Sequence, residues 1–285
     1  MGNGYWNSTA ATAYTTCAYN VATVDCLSSM NVQDVYRSRT LDPMLNPKNV
    51  VRECRDSEDH PQSLPVILAL DVTGSMGHAA TMCAGKLDEI MTELYKDNTN
   101  VEFCVMGIGD LACDSAPLQV TQFESDIRIL DQTTKIFFEG GGGGNGWESY
   151  TQAWYFGLNR CKLDCWERGE KGIIITLGDE PMNPYLPARR LQEVIGGEIA
   201  EDIDTKTLYQ QVCEKFDVYH IAITDESSYS WHKNGIEETW RPLLGSNLIT
   251  AESSQLPQII SAIVSNSSFT PGVHAIETND EGISW

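Results

Sequence analysis

The stretch Pro65–Ala80, PVILALDVTGSMGHAA, decides how this 285-residue chain folds. It opens with an apolar run that ends abruptly in an acid, Asp71. A short, all-apolar run of this kind predicts a strand buried on both faces, as in the middle of a parallel sheet. Thr73 and Ser75 follow Asp71 at two-residue intervals. Gly74 permits the turn and Gly77 a close approach of backbone. Beyond them Cys83, Leu87, Ile90, Met91 and Leu94 recur at helical spacing and predict a helix over 78–96.

Outward from this unit the same alternation continues. VEFCVMGIGD (101–110) predicts a second strand, and PLQVTQF (117–123) a third, at an edge because its polarity alternates. A helix is expected through Ile127, Leu130 and Phe137. EGGGGGNGWES (139–149) interrupts it, and helical character resumes from Glu148 to Cys161. GIIITLGD (172–179), DVYHIAIT (217–224) and NLIT (247–250) predict three further strands. Ser254 is read as the cap of a final helix with Pro257 in its first turn. Strands alternating with helices predict an α/β fold, a doubly wound, mostly parallel central sheet flanked by helices in the Rossmann-like manner. The expected divisions are an N-terminal extension (1–61), this domain (62–268) and an acidic C-terminal tail (269–285).

The extension carries no charge before Asp25, yet it holds Tyr5, Trp6, Tyr14, Tyr19 and Val21. Such a segment is expected to cover apolar surface, on its own domain or on a partner.

The formal net charge is −21, from 19 basic and 40 acidic side chains. That field repels phosphate backbones and anionic lipid, so neither nucleic acid nor a membrane is an expected partner. No run approaches the length of a membrane span. The first residues lack the basic and apolar regions of a signal peptide, and a cytoplasmic location is expected. Nine cysteines without metal-ligand spacing read as mostly buried thiols in a reducing compartment. Cys161 and Cys165, four apart on an expected helix, read as packing residues.

Ligands of parallel sheets bind at the carboxyl ends of strands, where Asp71 lies. Alternate residues of an extended loop point the same way, so Asp71, Thr73 and Ser75 present one carboxylate and two hydroxyls together. Asp179 ends another strand and adds a second acid. All are hard oxygen donors, the set that suits Mg²⁺ or Mn²⁺.

On these residues the chain resembles the von Willebrand factor type A domains. DVTGSMG is similar to their metal-ion-dependent adhesion motif, Asp-x-Ser/Thr-x-Ser. FFEGGGGGNGWES resembles their glycine-rich second loop, and GIIITLGDE their third. The resemblance implies Asp71, Thr73 and Ser75 as the first metal loop and Asp179 as the last. In the middle loop Gly144 and Asn145 stand where many members carry Thr, so Asn145 or Glu148 is the implied ligand there. Gly144, Trp147 and Glu148 are implied to border bound ligand. The usual Asp-Gly of the third loop is Asp179-Glu180 here. The implied function is a metal-dependent binding module, not an enzyme, that engages an acidic residue of a protein partner through Mg²⁺ (or Mn²⁺). The acidic tail is one candidate for that carboxylate, supplied to a neighbouring copy in a homo-oligomer.

Other readings of the same residues remain. A Mg²⁺-dependent hydrolase or phosphoesterase would use the same metal, but the sequence offers no nearby Lys or His as proton shuttle. TGSMG approaches a nucleophile elbow, with Thr73 crowding its first glycine position and His220 inside a strand. Asp71 without a second acid at Thr73 does not fit a haloacid-dehalogenase phosphotransferase, and no Lys-Ser/Thr completes a phosphate loop after Gly140–Gly144. Asp71 as a simple helix cap accounts for one loop only. Asp110 is expected to be solvated or structurally hydrogen-bonded, Trp147 exposed and Trp154 buried.

Overall fold

The structure is a computed structural model that describes residues 4–97, 100–141 and 145–265. Six strands form the central sheet: β1 (Leu64–Asp71), β2 (Val101–Ile108), β3 (Leu118–Val120), β4 (Gly172–Gly178), β5 (Phe216–Ile223) and β6 (Leu248–Ala251). Their spatial order is β6-β5-β4-β1-β2-β3, parallel throughout except for β3, which runs antiparallel at the edge. The apolar runs lie where burial on both faces requires them. Val66, Leu68 and Leu70 enter one core layer while Ile67 and Ala69 enter the other.

The first layer is made by α1 (Ser8–Tyr19), α2 (Gly77–Asp97) and α7 (Leu256–Ser265). The second is made by α3 (Thr151–Arg160), α4 (Ala188–Ile195), α5 (Thr205–Val212) and α6 (Tyr229–Leu244). From β1 the chain moves through α2 to β2 on one side, then returns across the sheet to β4 on the other side of β1. The strand order therefore reverses between β1 and β4, and the crevice outside their carboxyl ends is the place where such sheets bind ligands.

The extension is built into the first layer. Leu27, Val35, Tyr36 and Leu45 are buried in the same cluster as α2, and the Tyr36 hydroxyl donates to Ala80 O at 2.9 Å. Trp6 Nε1 donates to Thr92 Oγ1 at 3.0 Å. Gly85 on α2 lets this chain approach, since a Cβ there would lie 3.3 Å from Leu27 Cβ.

Several elements differ from expectation. The helix read through 127–137 is only Arg128–Thr133, where the Thr133 and Thr134 hydroxyls bond back to Ile129 and Asp131 carbonyls and compete with continuation. The helix read from Glu148 starts at Thr151, because Glu148 forms a bridge to Met182. It stops at Arg160, so Cys161 lies in a short strand (Cys161–Leu163) paired parallel to Arg52–Cys54, and not on a helix with Cys165. The start of α7 is set not by Ser254 but by Glu252, whose amide donates to Gln255 Oε1 at 2.9 Å. Helices α4, α5 and α6 lie outside the predicted elements. Of the nine thiols, five are buried, and Cys17 and Cys113 are exposed. Among the described residues no helix is long and apolar enough to cross a membrane. The tail 269–285 lies outside the described residues.

Candidate functional site

Asp71 is the last residue of β1 and is fully buried. The chain continues extended through Val72 and Thr73, then makes a tight turn over Gly74–Met76 into α2. Asp71 Oδ1 accepts from Thr73 N at 2.9 Å and from Thr73 Oγ1 at 2.6 Å. Its other oxygen, Oδ2, accepts from the Tyr150 hydroxyl at 2.7 Å. Asp179 follows β4 and is also fully buried. Its Oδ1 accepts from Ser75 Oγ at 3.0 Å, and its Oδ2 from the Ser228 hydroxyl. The structure thus joins Asp71 to Thr73 and Ser75 to Asp179 at the switch between β1 and β4.

The glycine-rich loop lies directly against this turn. Gly74 N donates to Gly141 O at 2.8 Å, and a Cβ on Gly74 would lie 2.9 Å from Gly140 O. Gly144 lies outside the described residues. Asn145 turns its amide nitrogen to Asp110 Oδ2 at 2.7 Å, which leaves its Oδ1 buried with no partner. Glu148 is 4% exposed, and its Oε2 likewise has no partner. Trp147 is half-buried, less open than expected, and Trp154 is buried. Asp110 is buried too, which removes the solvated alternative. It accepts from Ala112 N at 2.9 Å and Ser149 Oγ at 3.2 Å and so braces the loop.

Burying these acids together makes their charged forms costly. Burial and the neighbouring Asp179 charge raise the Asp71 carboxyl to about 7. Burial raises Asp179 against the opposing hydroxyls of Ser228 and Ser75. Burial, then the charges of Asp71, Asp110, Asp114 and Glu180, push Glu148 up to about 11. Glu180, raised by burial and by Asp179 and Asp71 to about 7, faces His232 Nδ1 at 3.4 Å.

Two features correct the sequence reading. A histidine does stand near the acids, since His232 Nδ1 lies 3.4 Å from Glu180 Oε2. A fourth strand end also contributes: after β5, Ser228 touches Asp179 and Glu226 accepts from Ala79 N at the start of α2. The signal was the acidic and hydroxyl-rich DESSYS (225–230) that follows a buried strand. Tyr150 gave no such signal. His220 is buried, stacked on Trp240 at 3.7 Å, and its Nδ1 shares a hydrogen with Thr176 Oγ1 at 2.8 Å. Burial lowers it to about 3, so it is a neutral core side chain.

Among the described residues no group of three or more His, Cys, Asp and Glu is set for a metal ion. The donor set here is of another kind: two buried carboxylates, the Thr73 and Ser75 hydroxyls, and the unpartnered oxygens of Asn145 and Glu148. Both carboxylates already accept hydrogen bonds on each oxygen, so the acceptors left open to a hard cation such as Mg²⁺ or Mn²⁺ are the oxygens of Asn145 and Glu148.

The sequence matches no protein-family model and no curated protein. Among solved structures it aligns with the pilus adhesin SpaC of Lactobacillus rhamnosus GG in its open conformation, at 13% identity and a TM-score of 0.47. The alignment covers 76% of this chain and 31% of the adhesin. A second crystal structure of that adhesin gives 14% and 0.45, over 76% of this chain and 32% of the adhesin. Proximal thread matrix protein 1 of the mussel byssus aligns at 12% identity and a TM-score of 0.46, over 75% of this chain and 49% of that protein. The chain thus spans about a third of the adhesin and half of the matrix protein.

Proposed function

We propose that this chain is a metal-dependent binding module of the von Willebrand factor type A kind. It holds Mg²⁺ or Mn²⁺ at an adhesion site and engages a carboxylate of a protein partner. The observation that carries this reading is the meeting of Asp71, Thr73 and Ser75 with Asp179 at the ends of adjacent parallel strands. Acids buried this deeply are disfavoured unless a positive charge joins them. Asp71 and Asp179 supply the charge of the site, Thr73 and Ser75 its hydroxyl oxygens. Asn145 or Glu148, each with a spare buried oxygen, completes the middle loop. When bound, the cation offers a Lewis-acidic position to an anionic oxygen of the partner. The overall charge of −21 disfavours nucleic acid and anionic lipid as that partner. A cytoplasmic setting belongs to the same proposal.

Thermal unfolding with and without Mg²⁺ tests the reading. A ligand that binds only the native state at a hundred times its Kd adds about 2.7 kcal/mol of stability. The parent should melt several degrees higher in Mg²⁺, while Asp71→Ala and Asp179→Ala should lose that increment and remain folded. Equal responses in all three proteins would sink the assignment.

His232 favours a second reading, a Mg²⁺-dependent hydrolase acting on phosphoesters, in which this side chain moves a proton. Turnover of p-nitrophenyl phosphate that needs Mg²⁺ and falls in His232→Ala would establish it. No turnover in either protein leaves the binding reading.

A further inference from the structure

One segment of the N-terminal extension touches two of the loops that build the candidate site. It is the short helix Val32–Val35 and the residues just after it, with Asn31 as cap, whose side chain accepts from Gln33 N at 2.9 Å. On one side Val32 meets the start of α2, where a Cβ on Gly77 would lie 3.9 Å from Val32 Cγ1. The Tyr36 hydroxyl adds its bond to Ala80 O one turn further on. On the other side Gln33 Nε2 donates to Phe138 O at 3.3 Å. The Tyr36 ring stacks on that of Phe138, with centroids 6.2 Å apart. A segment from outside the sheet therefore ties the turn after β1 to the glycine-rich loop.

The contact between those two loops is made by backbone alone. Gly74 N donates to Gly141 O at 2.8 Å, and Gly140 N donates to Val72 O at 3.5 Å. Gly140 has a φ of +68°, and glycines bring no side chain that would lock this path. Side chains on either flank hold it. Glu139 accepts from Ser115 N at 3.0 Å and Ala116 N at 3.1 Å on one flank. Gln33 holds the other, and both ends of its amide are used, since Arg39 donates to Gln33 Oε1. Arg39 also donates to the Gln33 carbonyl oxygen at 3.1 Å, which fixes backbone and side chain together.

We propose that Gln33, aligned by Arg39, is a positioning residue for the cation. It holds the glycine-rich loop against the Gly74 turn and so sets where Asn145 and Glu148 stand relative to Asp71, Thr73 and Ser75. This rests on the metal-dependent reading above. The extension is then part of the binding site as well as a cover for α2. Groups that orient metal ligands without touching the metal commonly control affinity by about 10–100-fold.

The test uses the full chain, with Mn²⁺ affinity read by electron paramagnetic resonance at a temperature where every variant is folded. Melting in EDTA is recorded alongside. Gln33→Leu keeps the bulk of the side chain and removes both amide hydrogen bonds. It should weaken Mn²⁺ binding about tenfold, with melting in EDTA close to the parent's. Arg39→Ala should weaken binding by less, and adding it to Gln33→Leu should change nothing further, because Arg39 acts through Gln33. The sign is diagnostic, since loss of a positive charge would by itself favour a cation. Leu27→Ala lowers stability from the same layer without touching either loop, and it should bind Mn²⁺ as the parent does. Parent-like binding by Gln33→Leu, tighter binding by Arg39→Ala, or an equal loss in Leu27→Ala overturns the positioning role alone. A parent that binds no Mn²⁺ overturns this role and the metal reading together.

Discussion

The Tyr150 hydroxyl donates to Asp71 Oδ2 at 2.7 Å, and this contact exists because residue 178 is glycine. A Cβ at Gly178 would lie 2.0 Å from the Tyr150 oxygen. The aromatic ring is itself fixed, 5.5 Å from Trp240 and 5.3 Å from His220. The second core layer thereby orients the acid that ends β1. Tyr150→Phe keeps the ring and removes one donor to a buried carboxylate, a loss of about 1–3 kcal/mol in urea unfolding. Gly178→Ala displaces the whole ring and should cost more. Equal or smaller cost for Gly178→Ala would show that the ring has room to move.

Stability should fall as pH rises. Asp71 and Glu180 are raised to about 7 and Glu148 to about 11, while ordinary carboxylates in an unfolded chain titrate near ~4. Between these values the native state binds more protons than the unfolded state, so protonation favours folding. In EDTA, the melting temperature should drop between about pH 5 and pH 8. Asp71→Asn, which cannot ionise, should flatten part of that drop. A melting temperature that climbs over this range in EDTA would mean the acids are not buried together.

The extension should behave as part of the fold. Leu27 is fully buried against α2, and truncating a buried leucine typically costs about 2–5 kcal/mol. Leu27→Ala should therefore lower the midpoint of a single unfolding transition seen by both fluorescence and circular dichroism. Loss of residues 4–60 to a protease, with the remainder still melting like the parent, would contradict this.

The sequence was most readable where burial alone sets the pattern. The apolar runs of β1 and β4 admit little besides central strands, and the acids that close them marked Asp71 and Asp179 directly. Helices α4 and α5 were opaque because each is only 8 residues long and offers about two turns of pattern, and α6 because Pro242 lies inside it. Tyr150 and Ser228 were opaque for another reason. Each acts across the sheet on an acid 79 or 49 residues distant, and no local spacing encodes such a contact. Asn145 and Glu148 remained alternatives in the sequence. In the fold both keep a buried oxygen without a donor, so spacing could not have chosen between them.

The central claim is that Asp71, Thr73, Ser75 and Asp179 hold one divalent cation. The most direct measurement is a Mn²⁺ titration followed by electron paramagnetic resonance, where the free ion gives the signal and the bound ion loses it. The account predicts one Mn²⁺ bound per chain, displaced by Mg²⁺, with binding abolished in Asp179→Ala and weakened in Ser75→Ala. Mn²⁺ that remains free throughout the titration, or that binds Asp179→Ala as it binds the parent, would contradict it.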